Sequence, residues 1–277
     1  MKLLHSIRDI AGLPRYWKHS RTARATMQPT VRRYAYGPHP RQYFLLLEPA
    51  GTQPIDPLPW AFYFHGGAWT FGTPEAFRPA ARPWLAAGFR VVLPSYRRPP
   101  QVQLPQIVAD CRSALTAAAA FARQTGRPLI TPQIGGISAG GHLAALLALH
   151  PDWWQQAGWP GPPDRALICA APLDFSLLRP RPYFARYAAF NPAERLTSAH
   201  RLSWLLLHGT HDGMVAYRHS TNFLRYLCKN AASATLHTIP EGGHLDAGRW
   251  TYDDADPYAA TVADFIGSPD RAPRVPH

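Results

Sequence analysis

The sequence predicts an α/β protein: a mainly parallel central sheet with helices on both faces, interrupted by a short lid insertion. Three observations lead there. Segments that read as strands alternate with segments that read as helices for most of the length, the pattern of crossover-linked parallel strands. Several of the strands are short, nearly continuous apolar runs, as strands buried on both faces must be. The composition is 46% hydrophobic and 12% aromatic over 277 residues, enough for one large core and unlike a disordered chain or a coiled coil.

Taken in order, the elements are these. The first thirty residues read as short helices broken at Pro14. Residues 43–47 (Tyr43 to Leu47) and 60–64 (Trp60 to Phe64) read as strands, the second running into His65-Gly66-Gly67. A helix over 76–88 stops at Gly88, and a buried strand follows at 89–93. Residues 104–124 form a helix, with Ile107, Cys111, Leu115, Ala118 and Ala122 on one stripe. A short strand begins at Ile134 and a helix covers 139–150. Strands at 167–171, 204–207 and 235–239 and helices at 216–230 and 257–266 complete the alternation. The stretch 172–202 is too long for an ordinary loop. It holds Tyr183, Phe184, Arg179, Arg181 and Arg186 and reads as the lid.

The charge is uneven. Formal net charge is +12, from 29 Lys+Arg against 17 Asp+Glu. Residues 1–34 contribute eight bases and one acid, a net of +7, and the remainder 21 minus 16, a net of +5. The chain therefore divides into a basic segment at 1–34, a tail or reduced cap, and a main domain at 35–277. The basic segment admits weak contact with an anionic membrane surface, although a solvated tail or small cap is the plainer reading. No nucleic-acid partner is expected. Cys111, Cys169 and Cys228 are odd in number and widely spaced, suggesting neither a disulfide framework nor a metal site. No apolar run has membrane-spanning length, and the first residues lack a signal-peptide core. A cytoplasmic protein is the expectation.

Two motifs carry chemistry. Gly136-Ile137-Ser138-Ala139-Gly140 lies where a strand ends and a helix begins, a turn that exposes the serine hydroxyl above the sheet. His65-Gly66-Gly67-Ala68-Trp69 directly follows an apolar strand, where consecutive glycines let backbone N–H groups turn inward on an oxyanion. A serine needs a base, and the base an orienting acid. Asp212, in His208-Gly209-Thr210-His211-Asp212, and Asp174 are both candidates for the acid; Asp212 is preferred, with Asp174 bracing the lid or the loop that bears the base. His244, in Glu241-Gly242-Gly243-His244, is the candidate base. His142, His208 and His211 read as packing or hydrogen-bonding residues. No metal-ligand spacing, phosphate loop or dinucleotide fingerprint is found, so no cofactor is expected.

These blocks, with Ser95-Tyr96-Arg97 and Asp110 between them, resemble the α/β-hydrolase superfamily over residues 40–267. More narrowly, they resemble its carboxylesterase branch with His-Gly-Gly, which includes hormone-sensitive-lipase-like esterases, feruloyl/acetyl esterase-like proteins and kynurenine formamidases. The resemblance implies Ser138 as nucleophile, Asp212 as acid and His244 as general base, with the oxyanion held by N–H groups of Gly66 or Gly67 and of Ala139. Ala68 stands where lipase-like members carry a third glycine. The expected activity is hydrolysis of small carboxylic esters through an acyl-enzyme; the rivals are an arylformamidase acting on an arylamide and a non-catalytic ligand-binding protein. Trp69, Phe71, Tyr183 and Phe184 are expected to line the substrate pocket. The lid arginines are either a carboxylate or phosphate subsite or surface charge.

Overall fold

The computed structural model describes residues 2–268; positions 269–277 of the expected main domain lie outside the described residues. Eight strands form one sheet: β1 (Thr30–Ala35), β2 (Tyr43–Glu48), β3 (Trp60–Phe64), β4 (Arg90–Pro94), β5 (Gln133–Ile137), β6 (Arg165–Cys169), β7 (Ser203–Gly209) and β8 (Ser233–Ile239). Their spatial order is β1-β2-β4-β3-β5-β6-β7-β8. The β1–β2 and β2–β4 pairs are antiparallel and every later pair is parallel. Among the described residues eight α-helices accompany them: α1 (Lys2–Thr26), α2 (Arg82–Ala86), α3 (Leu104–Gln124), α4 (Ala139–Ala148), α5 (Pro151–Gln156), α6 (Arg181–Ala185), α7 (Arg218–Lys229) and α8 (Ala259–Gly267).

Successive residues of a strand point to opposite faces, so each buried strand feeds two cores. Trp60, Phe62 and Phe64 of β3 join Phe44, Leu46 and Val92 on the face covered by α3 and α4. Ala61 and Tyr63 join Leu45, Leu47 and Val91 on the face reached by α2 and α8. Helix α4 is buried on every side, and its composition, AGGHLAALLA, suits such a site. It lies almost on the sheet: a Cβ at Gly140 would collide with the carbonyl of Phe64. That close approach seats the start of α4 at the C-terminal end of β5, where open α/β sheets bind ligands.

Several expected elements differ. The N-terminal segment is one 25-residue helix with Pro14 inside it, not short helices broken there. Pro14 lies on the exposed side, where water can replace the hydrogen bond that proline cannot donate. Strand β1 has no counterpart in the sequence reading and crosses the expected 34/35 division; it is an edge strand exposed except at half-buried Val31 and Tyr34, so it lacks the alternation that marks a strand. The helix expected at 76–88 is reduced to a 3₁₀ turn at Arg78–Ala81 and the short α2, in a segment punctuated by Pro79 and Pro83. The lid stretch holds α6 and four 3₁₀ turns.

Candidate active site

The site is assembled from three chain reversals at the C-terminal ends of β5, β7 and β8, plus the turn after β3. Ser138 sits between β5 and α4 at φ 56°, ψ −126°. That is a costly conformation for a residue with a Cβ, of order 1–3 kcal/mol, and it is held by the packing around it. The Ser138 N–H donates to Cys169 O at 2.8 Å, and the His142 N–H closes on Ser138 O at 3.0 Å. The first amides of α4, including that of Ala139, have no carbonyl one turn back and carry the partial positive charge of the helix N-terminus.

The turn after β3 is also strained. Gly67 lies at φ 124°, and Ala68 and Trp69 follow at φ 48° and 60°. The amides of Thr70 and Phe71 both close on Gly67 O, at 2.8 and 2.9 Å. Arg98 donates to Gly72 O at the far end of the turn. Beneath it, His65 donates from Nδ1 to Gly66 O at 2.8 Å and stacks on Tyr96 at 4.6 Å. Burial pushes its imidazole down to about 4, against smaller opposing help from the Gly66 carbonyl, so it stays neutral and acts as a donor.

Asp212 follows β7 and His244 follows β8. Their loops cross backbone to backbone: the His211 N–H donates to Gly242 O at 2.9 Å, and a Cβ at Gly209 would strike that same carbonyl. His244 Nδ1 donates to Asp212 Oδ2 at 2.8 Å. Oδ1 of the same carboxylate accepts from the amides of Met214 and Val215, at 2.8 and 2.7 Å. His208 Nε2 lies 3.0 Å from Asp212 Oδ2 and 2.9 Å from Val215 O. Both neighbours are acceptors, so Nε2 carries the hydrogen, and Nδ1 accepts from Ser220 Oγ at 2.7 Å.

Burial alone would raise the Asp212 carboxyl. The charge of His244 and the hydrogen bonds from His208 and His244 outweigh it and hold the group well below the usual carboxylate range. Burial alone would lower His244, but the charge and hydrogen bond of Asp212, with a smaller contribution from Asp9, raise it above an ordinary imidazole. With Nδ1 committed to Asp212, only Nε2 of His244 is free to face the cavity.

Gly66, Gly67, Trp69, Phe71, Ser138, Ala139 and His244 line one cavity of about 210 Å³. Asp212 stands behind His244. Asp174 does not reach it: its Oδ1 accepts from Ser176 N at 2.9 Å, and its own amide donates to His219 Nδ1 at 3.2 Å. His142 is tied to the lid through Nε2 and Phe190 O at 2.8 Å, and Trp69 packs edge-on against it at 5.3 Å.

Tyr183 and Phe184 are not in the cavity wall, contrary to expectation. They pack edge-on against each other at 5.1 Å; Phe184 lies against Phe175 at 5.8 Å, and Arg186 covers Tyr183 at 4.2 Å. The lid contributes Pro172 and Leu178 instead. None of its arginines lines the cavity, and Arg179 donates instead to the carbonyls of Ser176 and Leu178. The missing wall comes from α1, through Leu13, Tyr16 and Trp17. The sequence does hold the signal, since Asp9, Tyr16, Ser20 and Ala23 recur at helical spacing and are all buried. The charge of the segment and Pro14 concealed it.

Comparison with known proteins agrees with this fold. A family model described as alpha/beta hydrolase fold matches residues 61–210, more than half of the chain. The chain belongs to the alpha/beta hydrolase fold family. A second model, for the prolyl oligopeptidase family, matches residues 177–267. Esterase LipC of Mycobacterium tuberculosis (strain ATCC 25618 / H37Rv) is 26% identical, over 87% of this chain and 66% of LipC. Carboxylesterase NlhH of M. tuberculosis (strain CDC 1551 / Oshkosh) is 33% identical over a shorter stretch, 34% of this chain and 30% of NlhH. The chain thus spans just under two thirds of LipC and about a third of NlhH. Among solved alpha/beta hydrolase folds, esterase B from Lactobacillus rhamnosis superposes with a TM-score of 0.71 at 19% identity, covering 96% of both chains. Apo Thermogutta terrifontis esterase 2 gives 0.69 at 23% identity, covering 86% of this chain and 92% of that one. Among the described residues no group of three or more His, Cys, Asp or Glu is arranged to hold a metal ion, and no helix is long and apolar enough to cross a membrane.

Proposed function

We propose that this alpha/beta hydrolase cleaves small carboxylic esters through an acyl-enzyme, with Ser138 as nucleophile, His244 as general base and Asp212 as its orienting acid. The observation that carries the reading is the 2.8 Å bond from His244 Nδ1 to Asp212 Oδ2, beside a strained Ser138 on the same cavity. Ser138 Oγ forms a bond to the ester carbonyl carbon while His244 Nε2 takes its proton. The displaced electron pair settles on the carbonyl oxygen, against the N–H groups of Ala139 and of Gly66 or Gly67. Collapse expels the alkoxide, which takes the proton back from His244. Water then repeats the attack on the acyl-enzyme and frees the acid.

The cavity argues for a small acyl group. Its walls are almost wholly apolar, and about 150 Å³ is enough to hold a benzene ring; at about 210 Å³ it takes a short chain or a single ring. That LipC is named an esterase and NlhH a carboxylesterase supports ester hydrolysis itself. We place the reaction in a reducing, cytoplasmic setting, consistent with three unpaired thiols, Cys228 among them exposed.

The test is hydrolysis of p-nitrophenyl acetate, butyrate and octanoate by the wild type and Ser138→Ala. Turnover should favour the shorter chains and fall about 10⁶-fold in the variant. A folded wild type inert on all three esters but active on N-formylkynurenine would make it an arylformamidase, and one inert on both a ligand-binding protein.

A further inference from the structure

Helix α1 has two working faces. Its inner stripe, Asp9, Tyr16, Ser20 and Ala23, is buried against the body. Ser6 Oγ donates to Gly213 O at 2.6 Å, and Asp9 Oδ2 accepts from the Gly213 amide at 2.8 Å, pinning the helix to the loop that carries Asp212. Its outer stripe reads Leu3, Ile7, Ile10, Pro14, Lys18, Arg21, at spacings of three and four residues that place them along one line. Leu3, Ile7 and Ile10 are 73%, 55% and 59% exposed, and Leu4 beside them is 67% exposed.

These side chains are not scattered surface apolars. Eight large hydrophobic residues are strongly exposed among the described residues; four are the ones just named, and two more, Phe71 and Met214, line the cavity of Ser138. Because Ser6 and Asp9 bond Gly213, next in the chain to Met214, the N-terminal part of this helix adjoins the entrance to the site. The apolar outer face runs directly into cations: Lys18 and Arg21 are exposed and enter no ion pair among the described residues. The sole acid of the helix, Asp9, is turned inward.

We propose that the outer face of α1 docks on an anionic lipid surface, with Leu3, Leu4, Ile7 and Ile10 entering the headgroup–acyl boundary and Lys18 and Arg21 meeting lipid phosphates. An apolar stripe continued by unpaired cations is the pattern of a helix lying in a membrane interface. A second copy of the chain fits less well, because the outer face offers no carboxylate to answer its own lysine and arginine. Docking in this orientation sets the cavity mouth, at Phe71 and Met214, beside the bilayer. Delivery of membrane-dissolved esters to Ser138 rests on the hydrolase reading; the docking does not.

The experiment is flotation of the full chain with vesicles of phosphatidylglycerol and phosphatidylcholine, and with vesicles of phosphatidylcholine alone. Two variants accompany it: Leu3→Ser/Ile7→Ser/Ile10→Ser and Lys18→Gln/Arg21→Gln. The wild type should float with the anionic vesicles, lose that binding in high salt, and bind neutral vesicles weakly. Each variant should reduce binding about tenfold or more while p-nitrophenyl acetate turnover stays within about twofold of wild type. Absent flotation, or flotation that both variants retain, overturns the proposal. So does a dimer in sedimentation velocity that the triple variant dissolves, which would assign the face to a second copy. Ser138→Ala should float like wild type, and a wild type that floats but hydrolyses nothing would leave the docking standing and remove the hydrolase reading.

Discussion

Two buried carboxylates lie on opposite sides of the fold and are built for opposite purposes. Glu48, at the end of β2, accepts from Arg90 Nε at 2.9 Å and from Arg127 Nε and Nη2 at 3.0 and 2.8 Å. Arg90 is wholly buried and spends its other donors on the carbonyls of Gln53, Pro54 and Asp56. Burial would raise Glu48, but the two guanidinium groups win and hold it below the usual carboxylate range. Asp212 is equally buried and equally well bonded, yet two of its partners are imidazoles, one of which keeps a nitrogen free toward a cavity. Arginine carries a fixed charge and cannot exchange a proton in use. Histidine can. A closed network of fixed charges holds β2 and β4 to the loop at 53–56; a network ending in an exchangeable proton holds a candidate base.

Removing either acid should separate the two purposes most sharply. Asp212→Asn should cost about 10³–10⁴-fold in kcat, because the amide can favour the wrong tautomer of His244. Its stability near neutrality should change far less than its rate. The wild-type kcat/KM should rise with pH through an ionisation above the ordinary imidazole value of about 6.5, since protonated His244 cannot accept the Ser138 proton. In Asp212→Asn that ionisation should move down, because burial then acts on His244 without its opposing charge.

Glu48→Gln should do the reverse, costing about 3–5 kcal/mol of unfolding free energy by leaving two buried guanidinium groups without their carboxylate. The kcat of the surviving folded fraction should be unchanged. The pH dependence of stability sharpens the contrast. Both carboxyls are depressed in the folded state, so both contributions are complete above the unfolded carboxyl value of about 4 and are lost as pH falls through the folded values. His244 is raised, so its share is complete below about 6.5 and is lost as pH rises through its folded value. The Glu48 contribution should therefore stay level on the alkaline side, while the Asp212–His244 contribution declines there. Denaturant midpoints of the two variants against wild type, taken from pH 4 to 9, would measure this.

A smaller effect should come from His208→Ala. It removes one of two imidazole donors to Asp212 Oδ2 and leaves Ser220 without its acceptor. About a tenfold loss in kcat is expected. The acid-side fall in stability should be smaller and end at higher pH, because Asp212 loses a hydrogen bond that favours its charged form and its folded value is less depressed; a merely space-filling His208 would not change that limb. Smallest is Trp17→Ala, which opens the α1 side of the cavity. It should shift preference toward longer acyl esters by several-fold, about 1 kcal/mol of differential binding. Tyr183→Ala should leave the chain-length profile as it is.

Much of this was legible because chemistry confined to a few adjacent residues leaves a local signature. Ser138 needs glycines on either side of its turn, and Gly136 and Gly140 stand there in the sequence. Asp212 follows the apolar run of β7 and His244 the more polar but still recognisable strand β8, so their placement on one rim follows from the order of a parallel sheet. The lining residues were harder. Tyr183 and Phe184 are aromatic and lie in the insertion, but composition does not say which way a short helix turns its side chains; theirs meet Phe175, Tyr187 and Arg186. Trp17 lies in a segment whose charge dominates its reading.

The sequence by itself determined the fold class, the succession of buried strands, and the candidate nucleophile, acid and base, because backbone geometry and hydrophobic periodicity are set by near neighbours. Only the tertiary structure decided that α1 rather than the lid aromatics walls the cavity, that His208 shares Asp212 with His244, and that Glu48 is the keystone of an arginine pair. Each of those depends on contacts between residues far apart in the chain, such as Asp9 with Gly213 and Arg127 with Glu48. No local pattern encodes such a contact, because it exists only once the sheet has brought its two partners together.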